Sequence, residues 1–202
     1  WQADLLSAGD PIIKLRYDYG TPGFLPILQN TGGLPTRNFM QGVFEGADRI
    51  HGEHMAATIL KGGGTCFACP VRCKRIVETH DQWQVQPAYG GPEYETVAAF
   101  GSLCGVDDLP AIAKANELCN AYGLDTISAG ATIAWAMECV ERGLLTTADT
   151  DGIPLRFGNA PAMIQMLEKI IRREGFGDIL AQGAYRAAQT IGRGTEQYVQ
   201  HV

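Results

Sequence analysis

From Gly91 onward the chain is punctuated at helix length. The segments GPEYETVAAFGSL, DLPAIAKANELCNAYG, DTISAGATIAWAMECVERG, NAPAMIQMLEKIIRREG and GDILAQGAYRAAQTIG succeed one another with short joins. Asp108, Asp125, Asn159 and Asp178 stand where a side chain would accept from the free N–H groups of a first turn. Gly123, Gly143, Gly175 and Gly192 stand where a chain leaves a helix through the left-handed region. Apolar residues recur at three and four within the segments: Ile112, Ala115, Leu118 and Cys119, then Ile164, Leu167 and Ile171. The pattern predicts a mainly α fold.

The part before Gly91 is less regular. Residues 1–65 are rich in glycine and proline, with short helices expected in TPGFLPILQN and GEHMAATILK and a loop in TGGLPTRNF between them. Residues 74–90, KRIVETHDQWQVQPAYG, alternate β-branched and aromatic residues and predict a small two-stranded hairpin. No internal repeat or low-complexity tract interrupts the chain, so residues 1–202 read as a single helical domain. The opening WQADLLSAGD has neither a methionine nor a targeting pattern, and the chain stops abruptly at YVQHV, which suggests a domain excised from a longer protein.

Composition excludes several classes. A net charge of −6 leaves no basic patch for nucleic acid. The longest apolar runs fall short of a membrane span. Six cysteines in 202 residues are too few for a secreted disulfide scaffold, so a reducing, cytoplasmic setting is expected, with thiols kept free for metal.

Three of those thiols cluster. Cys66, Cys69 and Cys73 form a C-x2-C-x3-C array within CFACPVRCKR, on a loop stiffened by Pro70 and preceded by Gly62–Gly64. Zinc would require a closed tetrahedral set, and His80 is the near candidate for a fourth ligand. An iron–sulfur cluster also uses short cysteine spacings and often takes its fourth ligand from far along the chain. Spacing favours the cluster over zinc, and unliganded surface thiols are the third reading. Glu93 and Glu95 follow Pro92 in a first helical turn, where acidic residues suit the macrodipole regardless of function. Asn120 and Asp125 flank a Gly123–Leu124 turn that is, locally, an ordinary helix end followed by an N-cap. His51 and His54 are spaced for one helical face and fit a solvated helix start better than a metal site.

Taken in order, CFACPVRC, GPEYET, DDL and NELCNAYGLDTISAG, then RFGN and REGFGDILAQGAYRAAQTIG, resemble the tungsten-containing aldehyde ferredoxin oxidoreductases. The resemblance covers essentially the whole chain. It implies the first of two helical domains that follow an N-terminal β-rich domain holding a bis-pterin cofactor, with tungsten or molybdenum as the metal. Cys66, Cys69 and Cys73 would supply three ligands of a 4Fe–4S cluster, with the fourth in the last domain, while Cys104, Cys119 and Cys139 match no ligand position. Asn120, Leu124 and Asp125 match a pterin-binding turn, with asparagine where aspartate is common. Glu95 matches the active-site glutamate, and Glu93 is its neighbour.

The implied activity is oxidation of an aldehyde to a carboxylic acid. Electrons would pass from the tungsten-pterin centre through the cluster to ferredoxin or an iron–sulfur electron-transfer subunit. A glutamate there acts as a base, and burial against an apolar wall would strengthen it. The implied partners are the aldehyde substrate, the electron acceptor and, in an oligomer, further copies. Lys114-Ala-Asn-Glu117 stands where some dimeric members carry a metal-bridging Glu-x-x-His. Two rivals stay open: a related tungsten enzyme that reduces an acid or an aromatic ring, the ring-reducing branch lacking GPEYE, and a zinc-stapled, non-catalytic helical domain.

Overall fold

A computed structural model describes residue 4 and residues 9–200. Helix α1, Pro11–Tyr19, begins at Asp10, whose carboxylate accepts from the Ile12 and Ile13 N–H groups. A 3-10 turn over Thr21–Phe24 leads into α2, Leu25–Thr31, and α3 covers Gly52–Thr58. Strands β1, Leu60–Gly64, and β2, Lys74–Val77, pair antiparallel, with Leu60 opposite Val77 and Gly64 opposite Lys74. The helices α4, Tyr94–Phe100, α5, Leu109–Tyr122, α6, Thr126–Glu141, α7, Ala160–Arg172, α8, Phe176–Leu180, and α9, Ala184–Ile191, follow.

The fold is mainly α with one small hairpin, as expected, but the hairpin is displaced. It joins 60–64 to 74–77, so the cysteine loop is its connection. Within 74–90 only an isolated bridge forms, Thr79 opposite Val85. The strand LKGGG carries almost no side-chain signal, and its pairing is set by the partner strand rather than by its own propensity.

Asp108, Asp125 and Asn159 cap α5, α6 and α7 through their side chains. Asp178 does not cap. It lies inside α8 and pairs with Arg173 at 2.7 Å. Gly175 is likewise not the exit from α7, because Arg173 takes the left-handed position at φ 54. Asp151 explains the change. Its carboxylate accepts from the Phe176 N–H at 2.8 Å, and a Cβ on Gly175 would lie 2.2 Å from that carboxylate. Gly183, at φ 85, divides the last segment into α8 and α9.

The core centres on α6, whose Trp135 is fully buried and donates from Nε1 to the Thr195 carbonyl at 3.0 Å. Phe100, Ile112, Ile133 and Leu167 join it, each burial worth about 1.5–3 kcal/mol. Gly130 of α6 faces Ala99 of α4, and a Cβ there would come 2.7 Å from Ala99. This close crossing brings the start of α4 beside the start of α6, where Thr96 Oγ1 and Thr126 Oγ1 are hydrogen bonded at 2.9 Å. No helix among the described residues is long and apolar enough to cross a membrane.

Candidate functional site

The hairpin connection is turned on itself. Cys69 N–H donates to the Cys66 carbonyl at 3.1 Å, and Thr65 Oγ1 donates to the carbonyls of Cys66 at 3.0 Å and Cys69 at 2.7 Å. Ala68 and Arg72 take left-handed φ values of 55 and 57, which tightens the loop on both sides of Cys69. Cys66 is exposed and Cys69 and Cys73 are half-buried, all three as free thiols. Burial, and then the nearby Glu93 charge, push the Cys73 thiol up.

The other three cysteines are of a different kind. Cys104, Cys119 and Cys139 are buried, and burial pushes Cys119 and Cys139 up to about 12 and Cys104 higher still. They are packing residues. Among the described residues, no set of three or more His, Cys, Asp or Glu is gathered to hold one metal ion. A single zinc would need its sulfurs within about 4 Å of one another, given tetrahedral bonds of about 2.3 Å. His80 does not complete such a set: it is 84% exposed and lies 3.7 Å from Glu78. Three free thiols on one loop, with no closed tetrahedral set around them among the described residues, suit an iron–sulfur cluster better than zinc by the chemistry of the donor set.

Next to this loop, β2 leads through Tyr89 and two glycines to α4. Glu93 is the N-cap residue, yet its side chain does not cap. Thr21 performs that task from across the chain. Its Oγ1 accepts from the Tyr94 N–H at 2.8 Å and donates to Glu93 Oε2 at 2.5 Å. Glu93 thereby gains a structural role as part of the clamp that starts α4.

Glu95, Asn120, Arg75 and Thr126 share the wall of one cavity of about 480 Å³ with Gly90 and Gly91. Gly91 is needed there, since a Cβ would come 2.9 Å from the Val77 side chain. Glu95 is exposed in this chain. Asn120 Nδ2 donates to the Tyr89 carbonyl at 3.2 Å and so holds the opposite wall. Glu117, buried in α5, extends that hold: it accepts from the Gln86 N–H at 2.5 Å and pairs with Lys114 at 2.6 Å. The Lys114 ammonium also donates to the Gln84 carbonyl at 3.0 Å. This pair clamps the 84–86 segment.

Leu124 and Asp125 lie one turn away and border a neighbouring cavity of about 180 Å³, with Ser128, Ile170 and Leu180. The turn is shaped by Gly123 at φ 71 and by the Leu124 N–H donating to the Cys119 carbonyl at 2.9 Å. Asp125 accepts from the Ser128 N–H at 2.7 Å, and these hydrogen bonds hold its carboxyl below the usual range. The structure therefore brings Glu95 and Asn120 together and sets Leu124 and Asp125 beside them. The three cysteines line neither cavity and join this region through β2. His51 starts α3, its Nδ1 accepting from the Glu53 N–H at 3.1 Å, in keeping with a helix start.

Two contributors escaped the sequence reading. Thr21 left no local signal, being 72 residues from Glu93. Arg75 left a faint one: period-2 alternation in β2 places it on the same buried side as Val77.

Comparison with known proteins places the chain in a family. The family described as "Aldehyde ferredoxin oxidoreductase, domains 2 & 3" matches residues 5–202. A tungsten-containing aldehyde ferredoxin oxidoreductase of Pyrococcus abyssi is 45% identical over 187 residues, covering 90% of this chain and 30% of that protein. Its counterpart from Pyrococcus horikoshii is 45% identical over 195 residues, covering 89% of this chain and 31% of that protein. Among solved structures, the active-site complex BamBC of benzoyl coenzyme A reductase, bound to 1,5-dienoyl-CoA, aligns with a TM-score of 0.58 and 30% identity. That match covers 72% of this chain and 21% of that one. The chain thus spans about a third of the length of the curated relatives it matches, and it belongs to the aldehyde ferredoxin oxidoreductase family.

Proposed function

We propose that this chain serves an oxidoreductase that converts aldehydes to carboxylic acids and delivers the electrons to ferredoxin or a comparable iron–sulfur protein. The observation that carries the reading is the convergence of Glu95 and Asn120 on one cavity, with the cysteine hairpin loop attached to its wall through β2. When bound, a tungsten bis-pterin centre would accept the electron pair and a 4Fe–4S cluster would relay single electrons, chemistry that side chains cannot supply.

The chain's own residues bind, orient and move protons. Cys66, Cys69 and Cys73 present thiolates to the cluster from one tight loop. Asn120, Leu124 and Asp125 hold the pterin at the α5–α6 turn, where Asp125 already fixes the first turn of α6. Glu95 takes the proton from water or from the hydrated aldehyde at its carboxylate. Its helix start is fixed by Thr21 and Glu93, so its position is set before substrate arrives.

The likeness to the benzoyl coenzyme A reductase complex supports a second reading, reduction of an aromatic coenzyme A thioester on the same scaffold. Intact Pro92-Glu93-Tyr94-Glu95 favours the aldehyde. The test uses the complete protein, purified anaerobically with its metals, assayed for tungsten, molybdenum, iron and zinc and then for turnover with both substrate classes. Glu95→Gln should cut aldehyde turnover by about 10²–10⁴ at full metal content. Turnover of the thioester alone would overturn the aldehyde reading, and an unimpaired Glu95→Gln would remove the base.

A further inference from the structure

Among the described residues Arg75 is the one buried arginine, 7% exposed. Its Nε donates to the Cys73 carbonyl at 3.1 Å, one Nη to the Asp18 carbonyl at 2.9 Å, and the other Nη to the carbonyls of Tyr17 at 3.1 Å and Arg72 at 2.8 Å. Four of the five guanidinium N–H groups are thus spent on neutral acceptors. Two of these carbonyls end α1, the negative pole of that helix, and two belong to the closing end of the cysteine loop. The nearby carboxylates are engaged elsewhere: Asp18 pairs with Lys14 at 2.5 Å, and Glu93 accepts from Thr21. Gly20, at φ 70, permits this packing, since a Cβ would lie 2.9 Å from the Cys73 carbonyl and 3.0 Å from the Arg75 side chain.

A buried cation held only by carbonyls keeps its charge undivided, at a desolvation cost those dipoles offset in part. Such a charge suits an anion next to it. We infer that Arg75 is the positioning residue of the cysteine loop: it holds the Cys73 end in shape before any cluster binds, and its charge then makes the bound cluster easier to reduce. The inference rests on Cys66, Cys69 and Cys73 being cluster ligands. Cluster potentials follow local charge and hydrogen bonding, so a cation against a ligand's own backbone favours the more negative, reduced state.

The experiment compares the complete wild-type protein with Arg75→Gln and Arg75→Lys, all purified anaerobically. Iron and sulfide content, the midpoint potential of the cluster, and amide exchange over residues 66–73 after iron is chelated are the readouts. Arg75→Gln should speed loop exchange by about tenfold or more and shift the potential to more negative values. Arg75→Lys, which keeps the charge without the fork that spans four carbonyls, should loosen the loop while leaving the potential nearer wild type. A merely structural tie would not separate the two variants by potential. Wild-type loop exchange and potential in Arg75→Gln would overturn the inference. If that variant does not fold, Arg75→Lys decides: a loosened loop at near-native potential supports the role, and wild-type exchange refutes it. A wild-type protein without iron and sulfide overturns the cluster reading itself and the charge role with it, while loop exchange still decides the positioning role.

Discussion

The start of α4 depends on one hydroxyl, and Thr21→Val removes it while keeping the shape of the side chain. Two bonds disappear together: the Tyr94 N–H loses its acceptor at 2.8 Å, and Glu93 Oε2 loses its donor at 2.5 Å. Loss of an N-cap acceptor costs about 1 kcal/mol, within a range of roughly 0.5–2. A hydrogen bond to a charged group is worth about 1.5–3 kcal/mol, less here because Glu93 is only half-buried and water replaces part of the bond. One hydroxyl serves both, so the effects overlap, and the expected loss is about 2 kcal/mol. Thr21→Ser, which retains the hydroxyl, should lose well under half of that. The assay is denaturant unfolding, with the midpoint shifting at constant slope, joined to amide exchange at Tyr94–Val97, which should quicken in the valine variant alone. A valine variant within about 0.5 kcal/mol of wild type would refute the clamp. So would a serine variant as damaged as the valine one.

Gly130→Ala should destabilise the fold by about 1–3 kcal/mol, seen as a lowered midpoint in the same unfolding assay, because the new methyl group meets Ala99 at 2.7 Å. Asp125→Asn keeps a competent N-cap but loses the charge. The folded-state pKa of Asp125 lies below its ordinary 3.8, so the stability it adds is present above that value and is lost as pH falls through the folded one. Wild type should therefore exceed Asp125→Asn near neutral pH, and the gap should close below about pH 4 in acid titrations of stability. Cys69→Ser in the complete protein should strip or convert the iron–sulfur cluster while tungsten content holds. Single-turnover reduction by aldehyde should persist and steady transfer to ferredoxin should stop, as stopped-flow and steady-state assays would report.

What could be read from the sequence is what neighbouring residues decide among themselves. Asp108, Asp125 and Asn159 cap helices because each accepts from an N–H three residues on, a contact the local sequence specifies in full. Local chemistry gives way where a distant group wins. Asp178 has the same chemistry, but Asp151, 25 residues before Phe176, accepts from the Phe176 N–H, and α8 starts at Phe176 with Gly175 as its N-cap residue. The strand LKGGG became visible only through its partner KRIV, because glycine offers a ladder of backbone groups and no side-chain pattern.

The candidate site divides in the same way. Its residues were named by likeness to a family, and folding adds which of them meet: Glu95 and Asn120 across one cavity, Leu124 and Asp125 at the next. The groups that hold those residues, Thr21 for α4, Glu117 with Lys114 for the 84–86 wall and Arg75 for the cysteine loop, all act over long sequence separations. Residues that touch a cofactor recur as short motifs because the cofactor dictates them. A supporting residue is dictated by the backbone it must reach, which exists only once the chain has folded. Arg75 shows the consequence: two residues beyond Cys73 it looks like an ordinary strand cation, and only the carbonyls of Tyr17 and Asp18, 58 and 57 residues earlier, make it part of the loop's design.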